Sequence, residues 1–140
     1  MNKSPLMPNL RAATSAAMAN RTSMSWDASG MLPLVNAAGL WTLSTAAYGA
    51  PGNEEMGLAR AWIRQWAEAR RTLNPRAHSY ALKRAVEQWA GCAISNGAFI
   101  RAALDLGFRF RRATPRSSNA VFNMGSTRWR RFRRLVERNQ

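Results

Sequence analysis

The sequence has a single cysteine, Cys92, and a single histidine, His78. One cysteine excludes an intramolecular disulfide and any zinc site that is built from several cysteines. This usage is typical of a reducing compartment, so we expect a cytoplasmic protein. Nucleophilic catalysis by a Cys92–His78 pair would also need a third orienting group, and the sequence offers no evident candidate.

Acidic residues are scarce as well. Only 7 Asp and Glu stand among 140 residues, and they are dispersed along the chain. A metal-dependent nuclease needs clustered carboxylates, and a Gly-rich phosphate loop needs a lysine after its glycines. Because neither pattern occurs, the sequence predicts a protein that is not an enzyme and needs no cofactor or metal.

The sequence has no continuous apolar run that is typical of a membrane span. Residues 28–53 carry no charge, but Pro33, Asn36 and Thr42 interrupt them and their large apolar residues are few. Residues 1–30 are rich in Ala, Ser, Met and Asn and predict a disordered basic arm. A mitochondrial transit peptide has a similar composition and is the alternative for this segment.

Arginine is the residue that the sequence has in excess. Of 21 basic residues only two are lysines, and the net charge is +14. From Arg101 onward eleven arginines stand against Asp105 and Glu137, a net of +9. The planar guanidinium suits bidentate contacts with phosphate and guanine, and a field of this strength attracts polyanions. We therefore expect nucleic acid as the partner, with an acidic protein or an anionic membrane surface as alternatives.

Apolar residues recur at helical spacing in five segments. "NAAGLWTLSTAAYG" predicts a short helix that begins at Asn36 and turns Leu40, Trp41 and Leu43 inward. "EEMGLARAWIRQWAEARRTL" predicts a helix capped by Asn53. Its apolar stripe is expected to be Leu58, Trp62, Ile63 and Trp66, and its C-terminal cations Arg70 and Arg71.

The remaining three helices follow later in the chain. "YALKRAVEQWAG" is expected to be capped by Ser79 and to end at Gly91. Ser95 is expected to cap the next helix, which Gly107 terminates. "TRWRRFRRLVER" predicts a last helix after Ser126, with an apolar stripe of Trp129, Phe132, Leu135 and Val136.

A hairpin is predicted where the apolar period changes from 3.6 to 2, after residue 107. Phe108 and Phe110 share one face of the first strand, and Arg109 and Arg111 share the other. "ATPRSS" reads as a polar loop, and "NAVFNM" returns as the partner strand. The inward residues of that strand are expected to be Ala120, Phe122 and Met124.

The order of helix, short turn, helix and arginine-bearing hairpin resembles a winged helix-turn-helix domain. The resemblance covers residues 79–124. We predict a mainly α fold with a small β-hairpin, about five helices plus one hairpin, in a single domain at 36–138. The helix-turn-helix lies at 80–106, the wing at 108–124 and the basic helix at 126–138. The resemblance implies that the second helix of the motif enters the major groove and that the wing contacts the flanking backbone or minor groove.

Two roles are open for the helix that follows Ser95. Its outward face is expected to carry Asn96, Gly97, Ala98, Arg101, Ala102 and Asp105. On DNA, Asn96 would pair with adenine, Arg101 with guanine, and Ser95 with the first-turn amides would bind a phosphate. Alternatively, this alanine-rich face packs against the "LARAWIRQW" helix.

The other arginines are expected to contact phosphates. The wing contributes Arg109, Arg111, Arg112 and Arg116, and the last helix contributes Arg128, Arg130, Arg131, Arg133, Arg134 and Arg138. Six neutralised phosphates would give a salt slope of roughly −5 in log affinity.

The expected function is sequence-reading binding of double-stranded DNA, as a transcriptional regulator or a mobile-element accessory factor. One alternative is binding of RNA or ribonucleoprotein by the last helix, and another is a module or inhibitor that grips an acidic protein. Dimerisation is also open, because Trp41, Trp62 and Trp66 offer more apolar surface than a small core needs.

Overall fold

The structure is a computed structural model that describes residues 34–138, so the predicted arm and its transit-peptide alternative lie outside the described residues. The helices are α1 (Asn53–Trp66), α2 (Ser79–Ala90), α3 (Asn96–Asp105) and α4 (Thr127–Arg138). The strands are β1 (Val35–Asn36), β2 (Gly39–Leu40), β3 (Glu68–Ala69), β4 (Phe110–Arg112), β5 (Ala120–Phe122) and β6 (Met124–Gly125). Within residues 34–138 no helix is long and apolar enough to cross a membrane. The fold is mixed α/β, with four α-helices in the described part of the chain where five were predicted.

The first predicted helix is the one that does not form. Residues 35–40 make a β1–β2 hairpin instead, and a single 3-10 turn follows at Leu43–Thr45. The side chain of Asn36 accepts the N–H of Ala38 at 3.0 Å, and Gly39 adopts a φ of +133°, which a helix does not allow. Of the three residues expected inward, only Leu40 is buried.

Helix α1 carries its predicted stripe, because Leu58, Trp62 and Ile63 are buried and Trp66 packs against the core. Its ends differ from the prediction. The cap is Gly52, and the helix stops at Trp66, after which Ala67 turns to extended φ and ψ and the chain enters β3. Pairing with β6 therefore draws the two arginines predicted at the helix end into a loop.

Helices α2 and α3 follow most of their predicted signals. Gly91 ends α2 in the left-handed region at φ 72°, and the hydroxyl of Ser95 caps α3 by accepting the N–H of Ala98 at 3.1 Å. Ser79 is the exception, since His78 holds the cap position of α2. The Ser79 hydroxyl instead accepts the N–H of Ala120 at 3.0 Å, which joins α2 to β5.

The predicted hairpin is confirmed by the antiparallel pairing of β4 with β5. Ala120, Phe122 and Met124 are fully buried, as their spacing predicts. The returning strand is also bordered on its other side. His78 forms a bridge with Val121, and β6 pairs with β3. The hairpin is thus anchored along residues 120–125 to the segment that connects α1 and α2.

A chain of aromatic rings in the core joins α1, α3, α4 and β5. Trp62 of α1 meets Phe99 of α3 and Phe132 of α4 edge to face, with ring centroids 6.3 and 5.8 Å apart. Phe99 in turn meets Phe122 of β5 at 5.9 Å. On α4, Trp129 and Phe132 are buried, whereas Leu135 is exposed, so the stripe predicted for this helix is narrower than expected.

Candidate nucleic-acid interface

Helix α3 is buried on the face that the sequence led us to expect outward. Asn96 and Asp105 are buried, and Ala98 and Ala102 have no exposed surface at all. Only Arg101 is partly exposed on this face. The structure therefore contradicts the outward placement, and it shows the packing alternative, in which α3 lies against α1.

Polar groups at the start of α3 are used inside the protein. The amide of Asn96 donates to the carbonyl of Ala38 and to the side-chain oxygen of Asn119, both at 2.9 Å. The N–H of Gly97 donates to Ala37 at 3.1 Å, and the Ser95 hydroxyl serves as the cap. A base or a phosphate would have to displace these contacts.

The segment that covers α3 is residues 34–50, which we call the strap. It crosses from the first turn of α3 to the loop of the hairpin, where the N–H of Leu40 donates to the carbonyl of Ser118 at 2.8 Å. The approach to α3 is so close that a Cβ on Gly97 would collide with the carbonyl of Asn36. The strap was not anticipated because its contacts join residues about 60 and 80 positions apart, which no local pattern encodes.

Arg112 is tied to the strap as well. One guanidinium nitrogen donates to the carbonyl of Trp41 and another to the carbonyl of Ser117, both at 2.8 Å. Its side chain is only partly exposed. Arg112 therefore braces the hairpin against the strap, in contrast to the phosphate contact predicted for it.

The side chain of Asn123, between β5 and β6, joins two arginine-bearing segments. Its oxygen accepts the N–H of Arg109 at 2.7 Å, and its amide donates to the carbonyl of Arg70 at 3.0 Å. The backbone of Asn123 bonds the same two residues again. The guanidinium of Arg109 also donates to the carbonyl of Arg71. Residues 70–71, just after β3, and residue 109, just before β4, are thereby held side by side.

Sequence reasoning missed this cluster, because Arg70 and Arg71 were placed at a helix end. Both are exposed, as are Arg109, Arg111 and Arg116 of the hairpin. The sequence contains no signal for the cluster, because the alternation of residues 120–124 places Asn123 on the outward face of the strand, and only the structure shows that it is buried. A buried amide of that kind must find hydrogen-bonding partners.

Helix α4 presents its arginines to solvent. Arg128, Arg130, Arg131, Arg133, Arg134 and Arg138 are all exposed. Arg133 lies over the ring of Trp129 at 5.9 Å, and Arg128 faces Glu68 at 3.8 Å. The spacing of 130, 134 and 138 places three guanidinium groups in one row, opposite the buried Trp129–Phe132 side.

We call Arg70, Arg71, Arg109 and Arg111 the hairpin cluster. Residues 68–71 connect this cluster to α4. Glu68 pairs with Gly125 in the β3–β6 ladder, two residues before α4 begins, and it faces Arg128 across that junction. We call the resulting surface the arginine track. Its members are Arg70, Arg71, Arg109, Arg111, Arg128, Arg130, Arg131, Arg134 and Arg138. Arginines from three separate parts of the sequence are thus linked through residues 68–71 and 123–125. Among residues 34–138 few carboxylates lie at this junction, so positive potential concentrates there.

No comparable grouping supports catalysis in the described part of the chain. A groove of 440 Å³ between α2 and α4 is lined by Tyr80, Arg84, Gln88, Trp129, Arg133, Val136 and others, and Glu137 is its one carboxylate. His78 and Cys92 flank opposite ends of α2, roughly 20 Å apart along the helix axis, so they cannot form a nucleophilic pair. Residues 34–138 contain no group of three or more His, Cys, Asp or Glu that could hold a metal ion.

Comparison with protein-family models, with curated proteins and with solved structures gives no match to this chain.

Proposed function

We propose that the protein binds nucleic acid through the arginine track, and that its main target is double-stranded DNA, held at the phosphates. The observation that carries this proposal is the joining of the hairpin cluster to α4 by Asn123 and the β3–β6 pair. These contacts link arginine-bearing segments from three separate parts of the sequence.

The positive charge of the track favours a polyanion as its ligand. In the described residues the acids near it are Glu68, which faces Arg128, and Glu137. Arg130, Arg131 and Arg134 meet no carboxylate within salt-bridge distance among residues 34–138. So many exposed guanidinium groups repel one another, and phosphates would relieve that repulsion while releasing counterions from the nucleic acid.

A duplex fits the track better than a single strand. Proteins that bind single strands stack bases on exposed aromatic side chains. Among the described residues the exposed aromatics are Trp41, Tyr48 and Tyr80, and none of them belongs to the track. Contacts to the outer phosphates of a duplex need only guanidinium groups.

Base reading is not part of the proposal, because α3 is buried. Helices α2 and α3 and the β4–β5 hairpin do follow one another in the order of a winged helix-turn-helix domain, and the hairpin would act as the wing. Since Asn96 and Asp105 face the interior, the track would hold DNA in a sequence-tolerant manner. An accessory role on DNA fits this binding better than recognition of one operator.

Fluorescence anisotropy with a random duplex, single-stranded DNA and hairpin RNA tests the choice of target. We expect the duplex to bind most tightly and to lose about a thousandfold in affinity between about 50 and 200 mM salt. A preference for hairpin RNA would assign the track to RNA. Equal, weak binding of all three probes would overturn the proposal.

The role of the track itself is tested by matched arginine variants. Arg134→Gln is expected to reduce the salt slope by about 0.9, and adding Arg130→Gln by about 0.9 more. The control is Arg64→Gln, since Arg64 is an exposed arginine on α1. Trp62 and Trp66, which stand two positions before and after it, pack against Phe132 of α4. Arg64 therefore lies on the other side of α1, and its slope should stay unchanged. Equal effects at Arg64 and Arg134 would mean that only the net charge matters.

A further inference from the structure

The strap presents the main concentration of exposed apolar side chains in the described part of the chain. Leu43 is 86% exposed, Leu34 66%, Tyr48 59% and Trp41 37%. In residues 51–138 only Tyr80 and Leu135 are large apolar residues with comparable exposure. An apolar surface of this kind on an otherwise charged protein marks a contact site.

These side chains are displayed on a well-braced scaffold. Trp41 donates its N–H to the carbonyl of Leu34 at 2.9 Å, so the two side chains stand across the hairpin from each other on one face. Thr42 and Thr45 cap the 3-10 turn reciprocally, and the amide of Asn36 donates to the carbonyl of Thr45 at 2.8 Å. A partner would therefore meet a pre-organised surface and lose little conformational entropy on binding.

The charge distribution identifies the kind of partner. No charged residue occurs from position 28 to position 53, whereas the chain as a whole carries +14. An acidic protein or a nucleic acid would be drawn to the arginine track, since residues 34–50 include no cation and the guanidinium of Arg112 beside Trp41 is already bonded to two carbonyls. A neutral apolar face binds best to another neutral apolar face, because no charge has to be desolvated there.

We infer that the outer face of the strap is the contact between two copies of this chain. In a two-fold symmetric contact each strap meets its own equivalent, so no like charges face each other across it. At other surfaces of the protein, the arginines of two copies would repel each other. The pairing does not depend on nucleic-acid binding. It would bring two arginine tracks into one particle, which would raise the apparent affinity for long DNA through the effective concentration of the second track.

Sedimentation equilibrium of the full chain, free of nucleic acid, tests this inference. Measurements at about 0.5 M salt suppress contacts between exposed charges. Over concentrations of about 1 to 100 µM, the range suited to a dimer of micromolar affinity, the mass is expected to approach twice the 15.6 kDa of one chain.

Two substitutions locate the contact. Leu43→Lys and Tyr48→Lys place a cation on each strap and are expected to weaken self-association at least tenfold. Both side chains are well exposed, so thermal melts should show the wild-type fold. The matched control is Leu135→Lys, an exposed leucine on α4, which should leave the dimer intact.

Two results would overturn the inference. A wild-type chain that stays monomeric over the whole range would show that the strap does not hold two copies together. A Leu43→Lys variant that dimerises as the wild type does would place the contact elsewhere. Neither result bears on duplex binding, so this inference and the proposed function can fail independently.

Discussion

Asp105 shows at the scale of one residue how burial changes the meaning of a side chain. Its carboxylate lies 3.3 Å from the guanidinium of Arg60 and 3.4 Å from that of Arg101. Arg60 is itself buried, and its Nε has no hydrogen-bond partner. Burial lowers the pKa of Arg60, and the nearby Asp105 acts in the opposite direction. A carboxylate that was expected on the outward face of the helix is needed inside to balance a buried cation.

Replacing Asp105 by Asn should therefore destabilise the protein. The change leaves Arg60 buried without its counter-charge, which typically costs about 3–5 kcal/mol of unfolding free energy. Urea denaturation measures this loss. Glu137→Gln on α4 is the control, because Glu137 is exposed and its replacement should change stability by less than about 0.5 kcal/mol. A loss no larger than that of the control would mean that Arg60 is solvated or paired elsewhere.

Gly97 is the second residue whose role is set by its surroundings. A methyl group at this position would collide with the carbonyl of Asn36 in the strap. We expect Gly97→Ala to cost about 1–3 kcal/mol through overpacking, despite the better helix propensity of alanine. Gly49→Ala is the matched control within the strap, since a Cβ at Gly49 meets nothing within 4 Å. Thermal or urea unfolding compares the two, and equal stability would show that the strap moves away easily.

At the scale of elements, the anchoring of the hairpin decides which arginines act together. In the wild type the side chain of Asn123 bonds the N–H of Arg109 and the carbonyl of Arg70. Asn123→Ala removes both hydrogen bonds. We expect an unfolding free energy lower by about 1–3 kcal/mol. We also expect a weaker duplex affinity, because only the backbone bonds of residue 123 and the contact of Arg109 with Arg71 would then hold the two arginine segments together. The readouts are urea denaturation and duplex anisotropy below the unfolding transition.

The control for this change is Asn53→Ala. Asn53 is exposed at the start of α1 and makes no described contact with the track. If Asn123→Ala loses stability but keeps full duplex affinity and the full salt slope, the cluster around Arg70 and Arg109 takes no part in binding.

The sequence predicted best those features whose physical cause lies within a few residues of them. Gly91 and Ser95 ended and began helices as expected, because left-handed φ and side-chain capping act within a few residues. The spacing of Ala120, Phe122 and Met124 likewise identified fully buried residues, although Val121 and Asn123 between them are buried as well. The helix predicted at 36–48 was wrong, because the Asn36 turn and the packing of Gly39 against Ser118 outweighed a weak apolar periodicity.

At the scale of the whole molecule, the cationic field and the buried α3 together predict binding that tolerates sequence. Unlabelled duplexes of equal length and unrelated sequence should compete for the protein within about threefold of one another, since phosphate contacts carry no sequence information. Competition anisotropy at one fixed salt concentration checks this. A single sequence that wins by about a hundredfold or more would show that α3 reads bases after the strap has moved aside.

The sequence by itself determined the excess of arginine, most of the apolar stripes, the hairpin and the helix ends at Gly91 and Ser95, because each depends on composition or on neighbours a few residues away. Only the tertiary structure decided which faces stay exposed. Residues 34–50 cover α3 through contacts with Gly97 and Ser118, and Asn123 brings Arg70 beside Arg109. Such contacts depend on how distant segments pack. For this reason α3, which was expected to read bases in the major groove, is part of the core. The arginines of a mispredicted helix end became part of the candidate interface.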